Sequence, residues 1–378
     1  MQEMMASSLS ARSFVLSTTM AACAVALTLA APDMALAASK ASTPAPSKTR
    51  ALMSAKDMAA NAPILVRVFK KESVLEVWKQ TRAGRYQMLK SFPICRWSGQ
   101  LGPKRREGDR QAPEGFYSVG PRQMNPNSQF HLSFDIGYPN AYDRAHGGTG
   151  AYLMVHGQCT SSGCFAMTDA QIEEIYALAR DAFSGGQRAF QFQAFPFRMT
   201  AENMAKHRSD VNIGFWRQLK EGYDHFEATR LEPGVAVSGG RYAFKPGDPH
   251  VASSILAYRE TEDQRIAKLI EDGAASVRTT YSDGGMNAIF RALAVKKEPK
   301  LGVISRPEAL AYAGKEVVLT PARKPVQLAL ANAPTPPPRP ADLTGEKTPA
   351  ASDIIAGASA ILPAEFTPYP RLEIALAR

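Results

Sequence analysis

Cysteine is scarce in this chain, with four in 378 residues. No two of them stand in a Cys-x-x-Cys pair, the spacing used by structural zinc sites and thioredoxin-type redox centres. Acidic residues are short as well, 35 against 45 Lys and Arg, which leaves a net charge of +10. That balance suits contact with an anionic polymer or surface. No nucleic-acid-binding motif accompanies it, so nucleic acid is excluded as a partner. After Phe14–Ala31 no apolar run is long enough to span a bilayer. No internal repeat is present.

The N-terminus is what a secretory signal requires. Arg12 supplies positive charge, "FVLSTTMAACAVALTLAA" is the apolar run, and "ALA" at 35–37 is a small-x-small cleavage site. Residues 1–37 are read as a signal peptide, and the mature protein as periplasmic or otherwise extracytoplasmic, where disulfides are permitted. Cys23 lies inside the run, which continues past it to Ala31, against a lipid-anchor reading. Cleavage leaves Cys95, Cys159 and Cys164. Three is odd, so at least one thiol stays unpaired within the chain.

Residues 38–60, rich in Ala, Ser, Thr, Pro and Lys, read as a flexible linker. The alternation of Ile64, Val66 and Val68, then of Val74, Glu76 and Trp78, predicts a β-hairpin turning at 70–73. A third strand follows at 85–95. The stretch 95–120 is dense in Gly, Pro and charge and reads as a long loop ending in a strand at 116–119. Asp109 and Glu114 are placed to order it. Further strands are expected at 130–136 and 151–155, and a helix from Thr168. There Thr168 and Gln171 form a capping box, and Ile172, Ile175, Tyr176 and Ala179 share one face. Glu173 and Glu174 read as exposed helix charge. "AFQFQAFPF" reads as a strand, 201–228 as mostly helical, and 246–328 as a partly helical C-terminal region of unknown role. Residues 329–378 are too rich in Pro and Ala to bury a core and read as a disordered tail.

The chemistry concentrates in "AYLMVHGQCTSSGCFAMTDAQIEEIYALA" (151–179). A catalytic cysteine needs a base or a lowered pKa. His156 ends an apolar strand, and Gly163-Cys164 follows in a turn eight residues later. Gly163 lets the backbone approach a substrate, and the Gly163 and Cys164 N–H groups can face an oxyanion. Rival readings are a Cys159–Cys164 disulfide, a redox pair, and a zinc site completed by His207 or His225. Failing these, Cys159 is a small apolar filler of the loop. His146 in "AHGGTG" is a rival base. His131, Tyr142, Ser162 and the basic residues Arg105 and Arg110 are candidates for lining a substrate site, the arginines toward carboxylates.

"MVHGQCTSSGCFAMTDAQIEEIY", "ICRWSGQLGPKRREGDRQAPEGFYSVG" and "LSFDIGYPNAYDRA" together resemble the L,D-transpeptidase (YkuD-like) family of cell-wall enzymes. The likeness is to the murein L,D-transpeptidase-like branch with an altered Ser-His-Gly-Cys box, and it covers about 62–245. It implies a mainly β catalytic domain with helices (α+β) over 61–245, acting on peptidoglycan stem peptides without metal or other cofactor. Cys164 would be the nucleophile, His156 the proton donor and acceptor, and Gly163 and Cys164 the oxyanion hole. Many members carry histidine where this chain has Ser162, and their His-to-Cys spacing is longer. In this branch, hydrolysis of the amide joining a lipoprotein lysine to peptidoglycan is a known outcome. A wall-linked lipoprotein is therefore an alternative partner, and a non-catalytic wall-binding protein is the remaining alternative.

Overall fold

The structure is a computed structural model that describes residues 40–245 and 249–322. The expected signal peptide and the tail from 329 lie outside the described residues. No helix among the described residues is long and apolar enough to cross a membrane.

The hairpin forms as its alternation predicts. β1 (Ile64–Phe69) pairs antiparallel with β2 (Val74–Gln80), and β2 with β3 (Tyr86–Pro93). β4 is Arg96–Trp97, and β5 (Gly115–Val119) ends the long loop. Three short strands follow, β6 (Met124–Asn125), β7 (Ser133–Asp135) and β8 (Met154–His156), and then β9 (Phe165–Ala166). The strand expected at 151–155 therefore starts three residues later, at Met154. A short helix α2 (Ala141–Ala145) lies between β7 and β8. Helix α3 (Asp169–Ser184) carries the Thr168–Gln171 capping box, and β10 (Phe190–Phe195) leads to α4 (Ala201–Lys206) and α5 (Ile213–Thr229).

Two five-stranded sheets result, one ordered β3-β2-β1-β10-β5 and the other β4-β9-β8-β7-β6. They meet through aromatic side chains: Phe134 packs on Phe190 at 5.7 Å, and Phe165 on Phe192 at 5.8 Å. The outer face of the first sheet is also covered. Every residue of β1 is buried, and Arg67 lies with its guanidinium over Tyr223 and Phe226 of α5, paired to Glu227 at 2.6 Å. A buried cation of this kind is tolerable only because it is paired. This is the α+β architecture expected.

Two readings by composition are corrected. Residues 38–60 are not a flexible linker where described. Helix α1 (Ser47–Ala55) buries Thr49 and Met53, and Arg180 holds the carbonyl of Ala41 at 2.7 Å. Glu174 is not exposed helix charge: it is buried and takes Lys90 at 2.7 Å and the Thr49 hydroxyl at 2.5 Å. Low-hydrophobicity composition missed these contacts because they form across more than 80 residues.

The region after 230 holds more strand than its sequence suggests. β11 (Gly234–Ser238) and β12 (Arg241–Lys245) form a hairpin, α6 is Pro249–Glu271, and β13 (Ser276–Thr280) pairs with β14 (Lys315–Thr320) around α7 (Ala288–Val295). The segment just after β13 lies on the second sheet. Gly285 and Trp97 exchange backbone hydrogen bonds of 3.1 and 3.0 Å, extending that sheet past its β4 edge.

Candidate active site

Alternation along the second sheet decides which residues share a face. Phe134, Val155 and Phe165 lie side by side and point into the core. Their neighbours must point the other way. Ser133 is opposite His156, which is opposite Ala166; Asp135 is opposite Met154. Continuing the parallel β8–β9 register by one residue sets Cys164 beside Met154. The Met154 N–H donates to the Cys164 sulfur at 3.4 Å. Cys164 and His156 thus sit on the outer face of adjacent strands, one row apart.

Burial favours the neutral form of both groups. Cys164 is half-buried. Burial pushes the thiol up to about 11, the Met154 N–H opposes this, Asp135 adds to it, and Lys104 opposes it. Burial likewise holds the His156 imidazole below its ordinary value, with the Gly157 carbonyl opposing. That carbonyl, 2.5 Å from Nδ1, assigns the tautomer. A carbonyl only accepts, so Nδ1 carries the hydrogen and Nε2 keeps its lone pair. Phe130 stacks on the ring at 4.7 Å and limits its rotation. A thiol raised by burial next to an imidazole held neutral favours proton transfer during attack over a standing ion pair. Among the described residues no hydrogen bond yet joins the ring to the sulfur.

The turn before the nucleophile is tied down from several sides. Gly163 has φ +124, and a Cβ there would meet Leu153 at 3.2 Å, so the position requires glycine. The Ser161 hydroxyl donates to the Cys164 carbonyl at 2.7 Å and bonds to that of Ser98 at 2.9 Å. The Gly163 N–H reaches Ser161 Oγ only at 3.4 Å, a weak bond that a better acceptor can replace.

Cys159 is neither a filler nor a partner of Cys164. It forms a disulfide with Cys95, buried against Met286, Phe290 and Leu301, and Cys164 is the free thiol among the described cysteines. The redox-pair and Cys159–Cys164 readings fall with it. The only partner that spacing along the chain offered was Cys164, five residues away, whereas the real partner is 64 residues away, brought close by β4–β9 pairing. His207 and His225 do not complete a metal site here. His207 stacks on Phe197 and bonds Thr279, and no group of three or more His, Cys, Asp or Glu among the described residues could hold a metal ion.

The other candidates scatter. Arg110 is drawn in, donating to Ser162 Oγ at 2.6 Å and the Ser161 carbonyl at 2.9 Å. Arg105 is exposed, and its guanidinium makes no ion pair among the described residues. His131 binds Glu173 at 2.6 Å, beside the start of α3. Tyr142 is buried in a stack with Tyr242 at 4.6 Å, and His146 lies on Tyr142 at 4.1 Å with Nδ1 at the Tyr142 carbonyl. Among the described residues none of these three makes a hydrogen bond, ion pair or ring contact with Cys164 or His156. Asp109 and Glu114 do order the long loop. Asp109 accepts the N–H groups of Arg105, Arg106 and Gln111, and Glu114 takes Lys70, Gly102 and Trp216. Sequence reasoning missed Ser98, Ser161, Phe130 and Asp135, which carry no local signal of their own.

Known proteins match this geometry's sequence. The model of the L,D-transpeptidase catalytic domain (YkuD) matches residues 64–187, a span holding β1 to α3 with Cys164 and His156. "Putative L,D-transpeptidase YafK" of Escherichia coli (strain K12) is 45% identical over 207 residues, covering 54% of this chain and 84% of that protein. The chain belongs to the L,D-transpeptidase (YkuD) family. The protein of the same name from Escherichia coli O157:H7 matches to the same extent. Among solved structures, the helical cell shape determining protein Pgp2 from Campylobacter jejuni aligns at 15% identity and a TM-score of 0.29, over 61% of this chain and 80% of that chain. Within this L,D-transpeptidase-like domain, the site lies on the face of the second sheet turned away from Phe134, Val155 and Phe165. Two clefts elsewhere, about 480 Å³ beside Asn140 and Tyr242 and about 380 Å³ between α4, α5 and α6, are lined by neither Cys164 nor His156.

Proposed function

We propose that the protein is an extracytoplasmic cysteine acyltransferase acting on peptidoglycan stem peptides through a thioacyl-enzyme. One observation carries the reading. The β8–β9 register puts a free thiol one row from a histidine whose Nδ1–H is fixed by the Gly157 carbonyl, leaving Nε2 as a base. As the Cys164 sulfur attacks the stem-peptide carbonyl, His156 Nε2 takes the thiol proton. The oxyanion is met by the N–H groups of Gly163 and Cys164. Collapse breaks the C–N bond, and the imidazolium returns its proton to the leaving amine. An amine acceptor then attacks the thioester and completes transpeptidation. Water in the same place would make the enzyme an amide hydrolase, able to release a wall-linked lipoprotein.

Supporting the compartment, the Cys95–Cys159 disulfide belongs to an oxidising environment. Arg105, exposed and unpaired, is the better candidate of the two arginines to meet a substrate carboxylate.

Mass spectrometry of purified sacculi after incubation with the protein tests the reading. New cross-links identify the transpeptidase, and released stem or lipoprotein fragments identify the hydrolase. No change with the wild type, or the same change with Cys164→Ala, overturns the proposal.

A further inference from the structure

The YkuD match ends at residue 187, yet part of what holds the Cys164 turn lies almost a hundred residues further on. Asp283 stands in the Ser-Asp-Gly-Gly turn between β13 and α7. Gly284 gives that turn its closeness to β4, since a Cβ there would fall 2.0 Å from the Trp97 carbonyl. Asp283 is therefore delivered beneath the catalytic loop, 3% exposed.

Three guanidinium groups converge on its carboxylate. Arg110 is at 2.7 Å, and Arg96 and Arg306 are each at 3.5 Å; the Gly99 N–H adds a bond of 3.2 Å. Burial alone would raise this carboxyl, but the Arg110 and Gly99 hydrogen bonds and the charges of Arg110 and Arg96 bring it below its ordinary value. Of the three arginines, only Arg110 reaches onward to the nucleophile turn, through Ser162 Oγ and the Ser161 carbonyl. Ser161 in turn bonds the Cys164 carbonyl. The chain is continuous: Asp283, Arg110, Ser161, Cys164. Arg110 also holds a left-handed backbone, φ +57. Such a conformation persists where the surroundings over-determine it, and here the planar fork is gripped at both ends.

We propose that Asp283 is a positioning residue for the nucleophile. By fixing Arg110 it locks the 161–163 turn, so that the Cys164 sulfur and the N–H groups of Gly163 and Cys164 hold their places as charge develops. The proposal rests on Cys164 being the nucleophile. A lysine at 110 could not replace the arginine, since a point charge cannot bond Asp283, Ser161 and Ser162 in one plane.

The test compares Asp283→Asn, Asp283→Glu, Arg110→Gln, Arg110→Lys and the Asp283→Asn/Arg110→Gln double variant. Arg306→Gln is the control, because it removes a charge from the same carboxylate without touching the turn. Two readouts are taken: kcat and KM on soluble muropeptides, and the pH profile of Cys164 alkylation by iodoacetamide. Asp283→Asn and Arg110→Gln are each expected to lower kcat about 10- to 100-fold with KM little changed. Both should shift the alkylation profile. The double variant should be no worse than the poorer single one, Asp283→Glu should recover part of the loss and Arg110→Lys little of it, and Arg306→Gln should stay within about twofold of wild type. Should Asp283→Asn fail to fold because Arg96 is left buried beside it, Arg110→Gln, at a part-exposed position, decides alone. A folded Arg110→Gln with wild-type kcat and alkylation profile overturns the proposal, and so does a rise in KM alone, which would make Arg110 a substrate contact. A wild type inert on muropeptides whose alkylation profile still shifts in Arg110→Gln would keep the positioning role and sink the wall substrate instead.

Discussion

The two sides of Cys164 are built differently. On one side lie 95–99, 110–111 and 158–163, held by the Cys95–Cys159 disulfide, the Ser98–Ser161 hydroxyl pair and the Arg110 fork. On the other side lies 146–152, with glycines at 147, 148 and 150. Tyr152 there is 75% exposed with φ +58; the start of the segment is tied back to α2, the Gly148 N–H donating to the Asp143 carbonyl at 2.7 Å, and beyond it the contacts run through Thr149, to the Arg105 carbonyl at 3.3 Å, the Glu107 N–H at 3.1 Å and the Tyr138 hydroxyl at 3.4 Å. The contrast teaches how a thiol can be both precise and reachable. Preorganisation comes from the rigid side; under the proposed function the substrate would lie across the other.

Replacing the sulfur itself should give the largest effect. Cys164→Ala is expected to abolish turnover on muropeptides, a loss of at least about 10⁴-fold, while circular dichroism stays that of the wild type. A folded variant that still turns over would place the nucleophile elsewhere and empty the comparison of meaning.

His156→Gln comes next, with a loss of about 10²- to 10⁴-fold in kcat. The pH dependence follows from the two shifts. His156 is held below its ordinary value, so it remains a free base through neutrality and is protonated only at pH below that value. Activity should therefore fall on the acid side, through protonation of the base. Cys164 is raised to about 11, so direct alkylation should be slow at neutral pH and climb through the alkaline range. Fast alkylation at pH 7 would show a standing thiolate and refute the general-base reading.

The disulfide sharpens the comparison by stability. Its 64-residue separation corresponds to about 4 kcal/mol of lost chain entropy in the unfolded state. The Cys95→Ala/Cys159→Ala double variant should lose roughly that in denaturant unfolding, and reductant should do the same to the wild type. If neither moves the midpoint, the braced side is not held by its disulfide.

Tyr152→Ala, on the other side, should change least: kcat within about threefold, with any loss carried by KM. A kcat loss as large as that of Arg110→Gln would erase the distinction between the two sides.

Much of this was legible in local pattern. The hairpin at 64–80, the capped helix at Thr168 and the strand at 190–195 each rest on a periodicity or a capping residue that acts within a few positions. His156 and Cys164 were legible as a pair because one strand end and one Gly-Cys turn lie eight residues apart. Cys159 was misread for the same reason, since nearness in sequence stood in for nearness in space. The Ala- and Pro-rich composition of 38–60 hid α1, whose Thr49 finds its partner only on α3. The Gly284-Gly285 pair is a signal of close backbone approach, but nothing local says that the approach is to β4.

The sequence by itself determined most element types between 61 and 228, the family, and a Gly-Cys turn eight residues after a strand-end histidine, because these depend on short-range alternation, capping and backbone freedom. Tertiary structure alone decided which cysteine stays free, which ring nitrogen keeps its lone pair and why a carboxylate at 283 belongs beside a cysteine at 164. Two of those are set by contacts between distant segments: sheet register put Cys95 against Cys159, and a glycine turn laid on β4 brought Asp283 under the loop; the tautomer is set by the adjacent Gly157 carbonyl, a bond that only the folded backbone conformation at the strand end makes.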